Sequence, residues 1–348
     1  MKKITVDGNE AVAKISYMFT EVAGIYPITP SSPMAAHIDE WASKGEKNIF
    51  NDQVKVVEMQ SEAGAAGLVH GSLNAGLLTS TYTASQGLLL MIPNMYKIAG
   101  EMLPCVMNVA ARSLSTHALS IFGDHQDVYA TRSTGFCMLA SSCPEDAANM
   151  AAVAHLSAIK ASLPFMNFFD GFRTSHEINK INILELDDVK PLVDMEALKK
   201  FRDRALNPMK PYTIGVAQND DVYFQNTEAR NIYYNNAIGV VEEYMNKINK
   251  ITAKDYKPFN YYGSHNAKKV IVAMGSVCET IKEVIDYLNE DIGLIEVHLY
   301  RPFSSKHLLD VLPSTVEKVA VLDRTKEAGS NGEPLYLDIK NVLSNIEV

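Results

Sequence analysis

Short apolar runs alternate with longer helical stretches along most of the chain, and that alternation leaves few folds open. The runs at 54–57, 76–82, 105–111, 136–140 and 165–169 have strand character. The intervals 61–73, 86–101 and 144–161 have helical character. Strands separated by helices pair in parallel, because the helix returns the chain to the end of the sheet where it began. Loops at the strand C-termini then gather along one edge, which is where such sheets hold their ligands. The expected fold class is α/β, with a parallel sheet covered by helices.

Local signals set the rest of the order. Val12, Ile15, Phe19 and Val22 recur at helical spacing and predict a helix over 9–22. Ala23 to Tyr26 is a short strand that runs into Pro27-Ile28-Thr29-Pro30-Ser31-Ser32-Pro33. There Ser32 is the expected N-cap and Pro33 the first helical residue of a helix to about Ser43. From 171 to 265 the alternation loosens. One helix carries Ile238, Val241, Met245 and Ile248 in register, and 254–266 reads as a linker. Alternation then resumes with strands at 270–274, 294–300 and 319–322 and helices at 277–288, 305–312 and 335–343. The expectation is two α/β domains, a larger one at 1–255 and a smaller one at 256–348.

Composition narrows the function classes. A formal net charge of -9 with no basic cluster argues against nucleic acid and anionic membranes as partners. No apolar run reaches the length of a membrane span, and Met1 to Asp7 lacks the apolar core of a signal peptide. Cys105, Cys137, Cys143 and Cys278 are scattered with no C-x-x-C pair, so neither an iron–sulfur or zinc site nor a disulfide framework is expected. They read as inert thiols of a cytoplasmic protein.

Three stretches carry chemistry. In Glu58-Met59-Gln60-Ser61-Glu62-Ala63-Gly64-Ala65-Ala66-Gly67 a strand enters a helix whose first turn holds Glu62. The small residues let that helix sit close to a backbone or a flat ligand, at some cost in helix propensity. Glu62 read alone is a helix-dipole partner or an acid with a task. Thr29, wedged between Pro27 and Pro30 past a strand end, is either part of an ordinary turn or a hydroxyl aimed at a small anion by a stiff loop. Arg112, after the strand that ends near Val109, is a structural arginine or a fork for a carboxylate. Gly123-Asp124-His125-Gln126-Asp127 is dense in polar groups, but such loops cap helices and bond backbone more often than they hold a metal. His37, His70, His155 and His176 read as packing or surface residues, and Gly275-Ser276 at a helix start is a weak anion signal. The phosphate-loop, dinucleotide, nucleophile-elbow and zincin motifs do not occur.

Taken together, residues 26–34, 58–67 and 111–128 resemble pyruvate:ferredoxin (flavodoxin) oxidoreductases. Gly275-Ser276, Tyr300-Arg301-Pro302-Phe303 and Leu322-Asp323-Arg324-Thr325-Lys326-Glu327 resemble that family's second domain, so the likeness spans nearly the whole chain. The resemblance implies a thiamine diphosphate pyrimidine-binding domain followed by a transketolase C-terminal-like domain. It implies oxidative decarboxylation of pyruvate to acetyl-coenzyme A, with electrons passed to ferredoxin or flavodoxin. Glu62 matches the glutamate that bonds the pyrimidine ring and so activates the thiazolium, a task best done out of water. Thr29 and Arg112 match the pyruvate contacts, and Pro27 and Ile28 fall beside the cofactor. The family's chain is several times longer. The diphosphate and Mg²⁺ region, the coenzyme A region and the [4Fe-4S] ligands have no counterpart here, and no metal ligand is assigned to this chain. The expectation is half of an active site, inactive alone, with an exposed face that allows a homodimer. Two alternatives are a relative acting on another 2-oxo acid such as 2-oxoglutarate, and a non-catalytic docking or regulatory domain.

Overall fold

Residues 1–344 are described by the computed structural model, and their strands sort into three sheets. In chain order the first elements are β1 (Lys2–Val6), α1 (Gly8–Phe19), β2 (Val22–Ile25), α2 (Ser32–Ser43), β3 (Lys55–Glu58), α3 (Glu62–Asn74), β4 (Thr79–Thr83) and α4 (Ser85–Gly100). There follow β5 (Cys105–Ala111), α5 (Gln126–Ala130), β6 (Cys137–Ser141), α6 (Pro144–Ala161), β7 (Phe165–Asp170), β8 (Asn179–Ile183), α7 (Leu186–Val189), α8 (Met195–Asp203), α9 (Asp220–Glu228) and α10 (Asn231–Thr252). The last are β9 (Phe259–Gly263), β10 (Lys269–Ala273), α11 (Val277–Leu288), β11 (Ile292–Val297), β12 (Leu299–Arg301), α12 (Ser305–Val311), β13 (Lys318–Val321) and α13 (Pro334–Leu343).

The main sheet has seven strands in the order β12-β6-β7-β5-β4-β2-β3, and every pair except β12 with β6 is parallel. Its central strands β4, β5, β6 and β7 are buried along their whole length, as a sheet covered on both faces requires. The second sheet runs β13-β10-β11-β9, with β9 antiparallel at the edge. The expected α/β class is what forms.

Helix α6 shows how burial overrides amphipathicity. Alanine fills most of its faces, and all but a few of its residues are buried between α1, α10 and the sheet. Gly24 serves the same close packing on β2. A Cβ there would lie 3.2 Å from the Ala65 carbonyl oxygen, so the glycine lets α3 settle onto the strand.

Several expectations shift. The first helix ends at Phe19, where the Thr20 hydroxyl donates to Ser16 O, and Val22 already belongs to β2. The second helix begins at Ser32 with Ser31 at the cap position. Ser31 Oγ donates to Ile28 O and does not cap the helix. The strand expected over 294–300 is two strands. After β11 the chain bends, His298 N and Leu299 N both donate to Pro258 O, and β12 leaves the second sheet to pair with β6. Leu299 and Tyr300 are fully buried there, and that burial accounts for the crossover. The linker expected over 254–266 contains β9, whose Phe259 is buried. The antiparallel pair β1–β8 was not expected, because its lysines and asparagines mask the alternation. Among the described residues no helix is long and apolar enough to cross a membrane.

Candidate functional site

Parallel registration delivers four strand ends to one edge of the main sheet. Tyr26 to Pro33 follows β2, Glu62 opens the helix after β3, Ser85 opens the helix after β4, and Arg112 follows β5. The Ser61 hydroxyl caps α3 by accepting from Gly64 N at 3.1 Å, which fixes Glu62 as the first helical residue.

Glu62 is 7% exposed. Its carboxylate takes no hydrogen bond and no ion pair among the described residues. It lies instead over Gly87 in the first turn of α4. A Cβ at Gly87 would meet Glu62 Oε1 at 2.7 Å and Thr83 Oγ1 at 2.8 Å. The Thr83 hydroxyl is itself buried without a partner. Groups of this kind are ordinarily satisfied inside a protein. An unpartnered acid and an unpartnered hydroxyl thus share the notch that Gly87 leaves by having no side chain. That donor and acceptor set suits a flat heteroaromatic ring with a basic nitrogen, so the residues fit an aminopyrimidine.

Thr29 and Arg112 meet directly. Arg112, 7% exposed, donates from Nη1 to Thr29 O at 2.8 Å and from Nε to Ser120 O at 3.3 Å. Among the described residues Nη2 has no partner, and the Thr29 side chain is exposed. The guanidinium is therefore held by backbone carbonyls with part of its fork free for an anion. Burial draws the Arg112 pKa down, opposed by the nearby Asp127 carboxylate. Ile28 is half-buried and Pro27 exposed on the same loop, and the Thr29–Pro30 peptide is cis. Glu62 makes no hydrogen bond to Thr29 or Arg112.

The polar loop at 123–127 bonds backbone and side chains, as its composition suggested. Asp127 accepts from Ser85 N at 2.7 Å, Arg112 N at 3.0 Å and Val128 N at 2.7 Å. Burial still outweighs these donors and pushes its carboxyl up to about 7. His125 Nε2 lies 2.6 Å from Asp170 Oδ1, and Asp170 Oδ2 accepts from Arg324 Nη1 at 2.6 Å and from Ser276 N at 2.8 Å. Burial alone would raise the Asp170 carboxyl, but His125, Arg324 and Ser276 hold it below the usual carboxylate range. Gly275-Ser276, read as a weak anion signal, thus receives a carboxylate of this chain. Sequence reasoning missed Thr83, Ser85, Gly87 and Asp127 as neighbours of the site. Only Asp127 lay in a stretch already singled out.

The remaining candidates are structural. His37 stacks on Trp41, His155 on Phe19 and His176 on Phe172, while His70 pairs with Glu101 at 2.6 Å. All four cysteines are free, and burial pushes their thiols up. Asp146, Glu279 and Glu296 bring carboxylates together, but Lys282 bridges Glu279 and Glu296 at 2.7 and 2.8 Å. A cleft of about 880 Å³ opens between the sheets at Ser142, Arg173, Ser276 and Arg324, and Glu62, Thr29 and Arg112 do not line it.

Residues 14–246 match the family described as pyruvate flavodoxin/ferredoxin oxidoreductase, thiamine diphosphate-binding, and residues 267–348 match pyruvate:ferredoxin oxidoreductase core domain II. The chain is 59% identical over 347 residues to the pyruvate:ferredoxin oxidoreductase of Moorella thermoacetica, covering 99% of this chain and 30% of that one. It is 58% identical to the pyruvate-flavodoxin oxidoreductase of Enterobacter agglomerans, again over 30% of its length. A pyruvate-flavodoxin oxidoreductase sequence from a Nostoc species is 52% identical, with 83% of its length covered. The chain thus spans about a third of the first of these relatives. Among solved structures, a 2-oxoglutarate:ferredoxin oxidoreductase from Magnetococcus marinus, with 2-oxoglutarate, coenzyme A and succinyl-CoA bound, superposes with a TM-score of 0.72. It covers 99% of this chain and 60% of that one at 17% identity, which speaks to the fold alone. With two family matches covering most of its length and an orphaned acid at the expected sheet edge, the chain belongs to the pyruvate flavodoxin/ferredoxin oxidoreductase family.

Proposed function

We propose that this chain supplies the pyrimidine-side half of a thiamine diphosphate site that oxidatively decarboxylates pyruvate. The observation that carries the reading is the Glu62 carboxylate, almost fully buried, without a polar partner among the described residues, and lying in the notch at Gly87. Thiamine diphosphate supplies, when bound, the nucleophilic carbon and the electron sink that decarboxylation of a 2-oxo acid requires. Glu62 holds a proton at the pyrimidine nitrogen, and its burial keeps water from competing for it. Arg112 Nη2 and the Thr29 hydroxyl orient the substrate carboxylate, while Pro27 and Ile28 flank the ring. Residues 1–255 act as the pyrimidine-binding domain and 256–348 as the transketolase C-terminal-like domain.

The diphosphate and Mg²⁺ site, the [4Fe-4S] clusters, coenzyme A and ferredoxin or flavodoxin belong to the rest of the enzyme, so the isolated chain does not turn over. Four thiols without a disulfide accord with a reducing cytoplasm, and the open half-site accords with association, including a homodimer. Pyruvate is favoured over 2-oxoglutarate because the relatives at 52–59% identity are named for pyruvate. The test is Glu62→Gln in the complete enzyme. Exchange of the thiazolium C2 proton, followed by NMR in D₂O, is expected to fall by at least ~100-fold, within the range typical of a lost general acid–base group. Exchange at the wild-type rate would remove Glu62 from the chemistry.

A further inference from the structure

Asp127 touches neither the notch nor the open end of Arg112, yet its bonds lead to both. It is fully buried in the first turn of α5. An acid there would ordinarily cap its own helix, and Oδ1 does so by accepting from Val128 N at 2.7 Å. Oδ2 does something else. It receives Ser85 N at 2.7 Å from the start of α4 and Arg112 N at 3.0 Å from just past the end of β5.

Each of those residues is one step from the site. Ser85 has φ +52, a left-handed conformation that is unfavourable for a residue with a side chain and persists only where its surroundings hold it. Its N–H goes to Asp127 and its hydroxyl to Ser113 O at 2.7 Å. Two residues on lies Gly87, which shapes the notch beneath Glu62. On the other side the Arg112 backbone is pinned by Asp127 while its guanidinium grips Thr29 O. One carboxylate oxygen therefore sets the start of α4 and the end of β5 relative to each other.

The loop that carries Asp127 is held in turn from the second sheet. His125 N donates to Arg324 O at 2.8 Å, Arg324 Nε donates to Gly123 O at 3.0 Å, and Asp170 bridges the His125 ring to Arg324. These contacts leave Asp127 little room to follow a local movement.

We propose that Asp127 is a positioning residue that fixes the separation between the Glu62 notch and the Arg112 fork, so that both address one cofactor and one substrate. The proposal rests on the functional reading above, and its test separates the two. The first readout needs no variant and no activity. In the wild-type chain the amides of Ser85 and Arg112 are expected to exchange with solvent as slowly as those of the central strands, and unprotected rates there would overturn the proposal. The second uses Asp127→Asn, which keeps the size and removes the charge. Exchange at Ser85 and Arg112 is expected to rise by about tenfold, the scale of one charge-assisted bond. In the complete enzyme the pyruvate KM is expected to rise by a similar factor.

The control is Asp124→Asn, because Asp124 accepts only a local bond from Gln126 N at 2.7 Å. Its KM is expected to stay at the wild-type value. If Asp127→Asn leaves both amides and the KM unchanged, the proposal is overturned. A KM that rises equally in both variants would reduce Asp127 to general loop stability and overturn it as well. If the wild-type enzyme does not oxidise pyruvate, the functional reading fails, and the amide rates still decide the clamp.

Discussion

Glu62 and Arg112 sit at the same sheet edge under opposite constraints. Among the described residues Glu62 has no polar partner, whereas Arg112 is tied at Nε and Nη1 to backbone oxygens. An acid kept free can share a proton with a ligand, and a cation tied at its back presents a fixed front. Replacing Arg112 by Ala leaves the Thr29 carbonyl without its donor, leaves the Ser120 carbonyl to the Ser113 hydroxyl, and removes the fork. The pyruvate KM of the complete enzyme is then expected to rise ~10–100-fold, on the scale of a lost charge-assisted pair of bonds. Arg112→Lys, which keeps charge without the planar fork, is expected to fall between. A KM unchanged in Arg112→Ala, with only a lower melting temperature, would make the arginine structural. The residue types were legible in the sequence because long motifs carry them. Their neighbours were not. Thr83, Ser85 and Gly87 are a threonine, a serine and a glycine in a run of small and polar residues, and only the fold brings them against Glu62.

Among the elements, α6 couples the hydrophobic centre to acid sensitivity. His155 is stacked on Phe19 of α1 at 5.0 Å, with Nε2 3.2 Å from Ser16 Oγ, and burial lowers its pKa to about 3. In the unfolded chain the ring returns to its ordinary value near 6.5. The folded state therefore binds fewer protons between these values, and stability rises with pH across that window. The contribution is fully present above the unfolded pKa and is lost as pH falls toward the folded one, at up to about 1.4 kcal/mol per pH unit. Urea unfolding between pH 6 and 4 is expected to show a shallower pH dependence in His155→Asn than in the wild type. Equal slopes would mean that His155 does not hold its neutral form in the core. The sequence revealed α6 by its Pro144 start and its acids, and it revealed the strands that surround it by their apolar runs. It hid β1 and β8, whose polar residues face water, and it hid β9 among tyrosines and asparagines. Periodicity reports burial, so lightly buried strands leave little trace in it.

At the scale of the whole molecule, two sheets are joined by a strand and by charge. β12 hydrogen-bonds to β6 of the main sheet, while Asp170 at the end of β7 gathers His125, Ser276 and Arg324 from three segments. That junction was invisible in the sequence, because a single strand-like stretch gives no sign of where it changes sheets. The assembled edge brings a buried acid, an exposed hydroxyl and a nearly buried cation together, and the chain spans 30% of the length of its Moorella relative. Under the proposed function this edge is half of a catalytic site. The direct test is pyruvate-dependent reduction of a low-potential viologen dye with thiamine diphosphate, Mg²⁺ and coenzyme A. It compares this chain alone with this chain in the presence of the remaining portion of the enzyme. The proposed half-site implies no reduction by the chain alone and pyruvate-dependent reduction when the two are combined. Reduction by the chain alone, or none in the complete assembly, would contradict it.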